Sequence, residues 1–335
     1  MNSVGPLTSV IIPAHNAESS LAAAVDSVLV QSLPVHVIVV NDGSTDGTVD
    51  VARTYGKRIR LVEQSNSGQG AARNAGLALA QGAYVAFLDA DDFWLPKFLE
   101  CCVAFLEAHP EAVAVSTGIV IRRADNTEQV LPVRILDEPD RIVSPLVLED
   151  FYRFWADEDH VRTGAVLIRR SVIDQAGPQR ADLRISQDLE YWGYLATFGK
   201  WGFIPEPLWV GNSQVVAASK WLVRYRDRRR LCPTVEAWQQ RILPRLSRGQ
   251  EASFKVIRGR VAANYAQSKI LGRAASDAFF IVKTYGSEMP KNTMTEVMIW
   301  GARYGRIGWQ IACGLVRAKE LAKALQMRVQ AGRPR

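Results

Sequence analysis

Through the first third of the chain, apolar residues come in short uninterrupted runs, and each run stops at a polar or acidic residue. Ser9–Pro13, Val35–Val40 and Val85–Leu88 read as short apolar strands, the last buried on both faces, and Ile59–Glu63 as a further strand. Between them the period changes to that of a helix. Glu18 opens a pattern with Leu21, Val25, Val28 and Leu29 on one side, and residues 45–55 and 68–80 repeat it, with Gly82 closing the last. A further helix starts near Pro96. Strands alternating with helices predict an α/β fold with a doubly wound, mainly parallel sheet. Residues 163–170 read as one more strand, followed by a short helix to Gly177, and from about Lys220 the pattern is helical.

Charge divides the chain where the pattern does. Residues 1–210 hold 17 basic and 27 acidic residues, a net of −10; residues 211–335 hold 24 and 7, a net of +17. An acidic half that needs a cation, joined to a basic helical half, is the simplest description of that split. The four cysteines lack zinc or redox spacing, which suits free thiols in a reducing cytoplasm. The N-terminus lacks the pattern of a signal peptide, and no apolar run is long enough to span a bilayer.

The polar residues that end the strands carry the candidate chemistry. Asn16, Asp42 and Asp89 fall at successive strand exits, where open α/β sheets bind ligands. Asp89, Asp91 and Asp92 directly follow a buried strand and repel one another, so a positive partner is expected. Hard carboxylate oxygens suit Mn²⁺ or Mg²⁺, ions that often take one or two carboxylates plus substrate phosphates. The plainer alternative is a solvated acidic turn ahead of a helix. Two look-alikes fail. Gly68-Gln69-Gly70 has Arg73 where a dinucleotide fingerprint needs its third glycine. Asp42–Gly47 imitates a calcium loop, but Arg53 stands where the bidentate glutamate belongs.

Taken together, SVIIPAHNAE, VIVVNDGSTDGT, NSGQGAARNAGL and AYVAFLDADD, in this order, resemble the nucleotide-binding half of the family 2 glycosyltransferases. The resemblance implies the GT-A fold, a Rossmann-like mixed sheet flanked by helices, over residues 1–215, with a C-terminal helical extension over 216–335. Residues 1–110 would be the nucleotide-sugar half and 111–215 the acceptor half. By the same resemblance Pro13, Ala14, His15, Asn16, Glu18, Asp42, Arg73, Asp89, Ala90 and Asp91 would surround the donor. Asp89 and Asp91 would carry the metal. Asn16 and Glu18 are expected to shape the turn and cap a helix, and Asp42 to accept from a uracil N–H or a ribose hydroxyl, which favours a UDP-sugar. In SQDLEYW, Asp188 keeps the position of the family's general base, while Gln187 replaces the usual glutamate. Trp155, His160, Gln187 and Trp192 are candidates for contact with the acceptor.

The implied reaction is inverting transfer of a sugar to a hydroxyl of a saccharide or lipid-linked oligosaccharide acceptor in surface polysaccharide synthesis. The alternative is a non-catalytic protein of the same fold acting as a basic membrane-surface or scaffold protein. Four carboxylates around one cleft favour the enzyme. The basic region crowds Arg224, Arg226, Arg228, Arg229 and Arg230 together and later sets Trp300, Tyr304, Ile307, Trp309, Ile311 and Val316 among Arg303, Arg306, Arg317 and Lys319. That composition suits either an anionic membrane surface or a helical lid with a solvated basic face. Nothing beyond charge points to nucleic acid.

Overall fold

A computed structural model describes residues 8–123, 127–131, 144–213 and 231–331, and the Arg224–Arg230 cluster lies outside them. The chain forms two compact units. One comprises Met1–Asp182 and Gln187–Gln214, the other Leu183–Ser186 and Val215–Arg335.

The first unit is built on a ten-stranded sheet. Its strands are β1 (Thr8–Ala14), β2 (Val35–Asp42), β3 (Ile59–Gln64), β4 (Tyr84–Phe87), β5 (Phe93–Trp94), β6 (Ala112–Arg123), β7 (Glu128–Leu131), β8 (Leu146–Leu148), β9 (Val166–Arg169) and β10 (Lys200–Ser213). The order is β3-β2-β1-β4-β9-β6-β10-β5, with β7 on β6 and β8 on β10. The half from β3 to β4 is wholly parallel. The other half is mixed: β9 runs antiparallel to both β4 and β6, and β6 and β10 pair in parallel. Register aligns the exits of the parallel strands, with Ala14 opposite Asn41 and Asp42 opposite Gln64.

Helices α1 (Leu21–Leu29), α2 (Thr48–Arg53), α3 (Gln69–Leu77) and α4 (Phe98–Ala108) follow the first strands, close to the predicted positions. Every residue of β1 is buried, as a strand covered on both faces requires. The α3 helix sits so close to the sheet that a Cβ on Gly76 would lie 2.5 Å from Ile11 Cγ2. Only a residue without a side chain allows that approach. Further on come α5 (Phe151–Glu158), α6 (Arg170–Ala176) and α7 (Gln187–Leu195). The predicted strand over 163–170 is shorter than expected, because Thr163–Ala165 form a 3₁₀ turn ahead of β9.

Strand β10 is long and irregular. Its register against β6 shifts around Pro205–Pro207, since proline cannot donate to the ladder. Past that irregularity it pairs with β5, Val210 lying opposite Phe93. The end of the strand is thereby carried to the acidic turn after β4.

The second unit consists of α8 (Val235–Gln239), α9 (Glu251–Leu271), α10 (Ala275–Tyr285), α11 (Thr293–Arg303) and α12 (Gly305–Ala331). Phe254, Ile257, Val261 and Tyr265 line the buried side of α9. Arg258 forms two hydrogen bonds to Glu288 and one to Gln239. The four residues Leu183–Ser186 belong to this unit although they directly precede α7. Trp238 Nε1 donates to the Ser186 carbonyl and the Tyr265 hydroxyl to that of Ile185, both at 3.2 Å.

Candidate active site

The exits of β1 and β2 are tied together first. Pro13 and Ala14 are buried and offer no side-chain surface. Asn16 adopts a positive φ of 52°. Its backbone N–H donates to Ser44 Oγ and its Oδ1 accepts from the Thr45 N–H. Glu18 donates from its backbone to Asp46 and accepts from the Gly47 N–H. Both residues therefore shape the paired loops. His15 donates from Nδ1 to the Asp42 carbonyl at 2.8 Å, which fixes that tautomer because a carbonyl can only accept. Its ring is left exposed on the same rim.

Asp42 is the hub of the next layer. Its Oδ1 accepts from Gln64 Nε2 and the Ser67 N–H, and its Oδ2 from the Gly68 N–H, all within 2.8 Å. Those bonds occupy three of roughly four lone-pair sites. In this structure its carboxylate is mainly the anchor of loop 64–68, which leads straight into α3.

From α3 the side chains diverge. Arg73 is only 1% exposed, and its Nη2 donates to Asp89 Oδ1 at 2.6 Å. Its Nε and Nη1 have no partner among protein groups. Asn74, the next residue, clasps the Gln179 backbone from both sides, Nδ2 to its carbonyl and Oδ1 from its N–H. At the head of the helix a Cβ on Gly70 would lie 3.6 Å from Gln187 Cγ. One short helix thus holds the carboxylate after β4 and lies against the start of α7, where Asp188 sits half-buried.

The acidic turn is differentiated. Asp89 keeps about a quarter of its side chain exposed, and Asp91 is exposed. Ala90 between them is buried. Asp92 turns inward and accepts from the Asn212 N–H at 3.0 Å, while Asn212 Nδ2 donates to the Asp91 carbonyl at 2.6 Å. Burial, and after it the Asp89 and Asp91 charges, push the Asp92 carboxyl up to about 8, so it holds a proton at neutral pH. Among the described residues no group of three or more His, Cys, Asp or Glu side chains could hold a metal ion. Two carboxylates with hard oxygens do fit a cation that takes its other ligands from phosphate and water.

Asp188 has a cationic neighbour. Arg162 bonds Asp159 through both terminal nitrogens, at 3.1 and 2.5 Å. Burial works against its charge, yet Asp159 and Asp188 together hold it above the ordinary arginine range.

The profile of "Glycosyl transferase family 2" matches residues 9–177, half of the chain. TuaG of Bacillus subtilis, whose name places it in teichuronic acid biosynthesis, is 35% identical over 227 residues, 64% of this chain and 83% of TuaG. This chain belongs to glycosyltransferase family 2. The glycosyltransferase YibD of Escherichia coli is 32% identical over 196 residues, and the match spans only about half, 53%, of its length. Among solved structures, S. aureus TarS 1–349 superposes with a TM-score of 0.56 at 18% identity, covering 94% of this chain and 91% of that one. That likeness establishes the GT-A fold. TarS has also been solved with UDP and with UDP-GlcNAc.

Within this family 2 fold, three expected acceptor residues have no surface to offer. Trp155, His160 and Trp192 are buried. His160 is enclosed edge-on by Phe151, Phe154 and Phe203 and has no hydrogen-bond partner at either ring nitrogen. Burial, then the Arg162 charge, hold its imidazole well below the ordinary range. Trp192 packs against Phe87 at the end of β4. A core aromatic and a sugar platform have the same sequence signature, and here the core claims all three. Gln187 is nearly buried beside Gly70. Sequence reasoning missed Asn212, Asn74 and Arg162 as site residues. Asn212 is far along the chain from the turn it braces, and the other two act through tertiary contacts that no local pattern encodes.

Proposed function

We propose that this chain is an inverting glycosyltransferase that moves a sugar from a nucleotide diphosphate sugar, a UDP-sugar by preference, to a hydroxyl of a saccharide or lipid-linked saccharide. The observation that carries the proposal is the reach of α3, which pairs Arg73 with Asp89 and lies against the helix that begins at Gln187 and Asp188. Donor-side and acceptor-side carboxylates are thereby supported by one rigid element. The UDP and UDP-GlcNAc complexes of TarS support the donor class, and the name of TuaG supports a cell-surface polysaccharide as the product.

In the proposed reaction Asp188 takes the proton of the acceptor hydroxyl as that oxygen bonds to the anomeric carbon. The bond to the nucleoside diphosphate breaks on the opposite side, and the diphosphate leaves with the electron pair. Asp89 and Asp91 are the residues that would hold Mn²⁺ or Mg²⁺, which supplies positive charge against the developing diphosphate. Arg73 keeps the Asp89 carboxylate in one orientation. The exposed rim at His15, beside Asp42, is the surface offered to the base.

The test is a binding and slow-hydrolysis screen of UDP- and GDP-sugars with Mn²⁺, Mg²⁺ or chelator. Metal-dependent binding of one UDP-sugar is the expected result. No binding of any nucleotide sugar with either metal would contradict the proposal and favour a non-catalytic scaffold.

A further inference from the structure

The helical unit ends in two helices whose faces are sharply different. Helix α11 starts at a capping box made by Asn292 and Thr295 and ends at Tyr304, and Gly305, with φ of 71°, reverses the chain into α12. The two pack on small residues: a Cβ on Gly301 would lie 2.4 Å from Ala312 Cβ. Up to Ala322 the inner face of α12 is engaged. Trp309, Ala312, Cys313 and Val316 are buried, and Trp309 Nε1 donates to the Ala275 carbonyl at 2.9 Å. Glu320, the one carboxylate between Gly305 and Ala322, also turns inward and accepts from Gln267.

The outer face is apolar and open. Ile307 is 73% exposed, and Ile311, Leu315 and Leu321 are each about half exposed. At 3.6 residues per turn these four lie within roughly 120° of arc. Trp300 and Tyr304, their rings 5.2 Å apart, are also exposed at the end of α11. On the same helical projection, Arg306 borders the row on one side and Lys319 on the other, and both are exposed. Arg303 is exposed at the end of α11.

A contiguous row of large apolar side chains marks a contact surface. Its basic border and the net +17 of residues 211–335 call for an anionic partner. A second copy of this chain would bring the same basic border against itself. Nucleic acid would reward the charge but leave the isoleucines and leucines wet. An anionic bilayer rewards both, and tryptophan and tyrosine suit the headgroup level. Among the described residues no helix is long and apolar enough to cross a membrane, so the contact would be in the plane of the surface.

We propose that the outer face of α12, with the end of α11, docks on an anionic lipid bilayer. The apolar row enters the acyl boundary, and Arg303, Arg306 and Lys319 meet the lipid phosphates. This surface is independent of the glycosyl-transfer reading.

Co-sedimentation of the full chain with vesicles tests it, using phosphatidylcholine alone and phosphatidylcholine mixed with phosphatidylglycerol. Binding to the anionic vesicles only, weakening with salt, is expected. Arg306→Ala should weaken it about fivefold. Ile307→Asp combined with Ile311→Asp should weaken it about a hundredfold or more, with the melting curve and any donor turnover unchanged. Equal binding to both lipids, or to neither, overturns the proposal. So does a dimer, seen by light scattering, that the double variant dissociates while no vesicle is bound, because the face would then belong to a second copy.

Discussion

In the sheet unit charged side chains turn inward and meet fixed partners: Arg73 on Asp89 and Asp42 on three N–H donors. In the outer helices of the second unit they turn outward, with Arg303, Arg306 and Lys319 exposed beside exposed apolar residues. Both regions are rich in charge, yet the physics differs. Burying charges is costly, and a cluster of carboxylates beside a buried guanidinium persists only where partners are fixed. Charge on an open surface costs little and acts at long range, as an attraction to whatever carries the opposite sign. On the two proposals made above, convergent charge marks the chemistry and dispersed charge marks a contact.

The largest effect is expected at the acidic turn. Asp89→Asn should lower metal-dependent turnover of the donor on the order of 10³-fold, because it removes negative charge where the cation is proposed to sit. Full turnover in that variant would mean that the convergence at β4 is structural only. A smaller effect separates Arg73, which is buried, from Arg258, which is half-buried. Arg73→Ala and Arg258→Ala each strip a carboxylate of its partner and should each cost about 3 kcal/mol of stability by denaturant unfolding. Only Arg73→Ala should also reduce turnover per folded molecule. If both variants did so, the division of roles between the units would fail.

The smallest effect concerns His160. Its imidazole stays neutral when folded, whereas the unfolded chain takes up a proton below about pH 6.5. The unfolded state then binds more protons, so the stability present above that pH is lost as pH falls, by about 1 kcal/mol per unit below pH 6. His160→Phe should flatten that loss in melting temperature against pH. An unchanged slope would show that other groups set the acid limit.

The strand exits were legible in the sequence because buried parallel strands are short apolar runs that end abruptly, as Val85–Leu88 ends at Asp89. Asp42, Arg73, Asp89, Asp91 and Asp188 could be named because they sit within local motifs. What was illegible is what those residues touch. Asp42 and Arg73 look from sequence like ligand contacts, and the fold uses them first to hold loop 64–68 and the Asp89 carboxylate. Trp155 and Trp192 carry no local mark that separates a buried ring from an exposed one. The grouping of Leu183–Ser186 with the helical unit depends on Trp238 and Tyr265, more than fifty residues away. In the last helix the composition mixes two faces, and only the packing of Trp309 and Val316 inward and Ile307 and Ile311 outward separates them.

The claim that this unit is a glycosyltransferase site with Asp188 as its base is tested most directly by measuring transfer and donor affinity together in Asp188→Asn. A loss of transfer on the order of 10²–10⁴-fold is expected, with the donor still bound as in the parent protein. Transfer at close to the parent rate would contradict it and remove Asp188 from the chemistry.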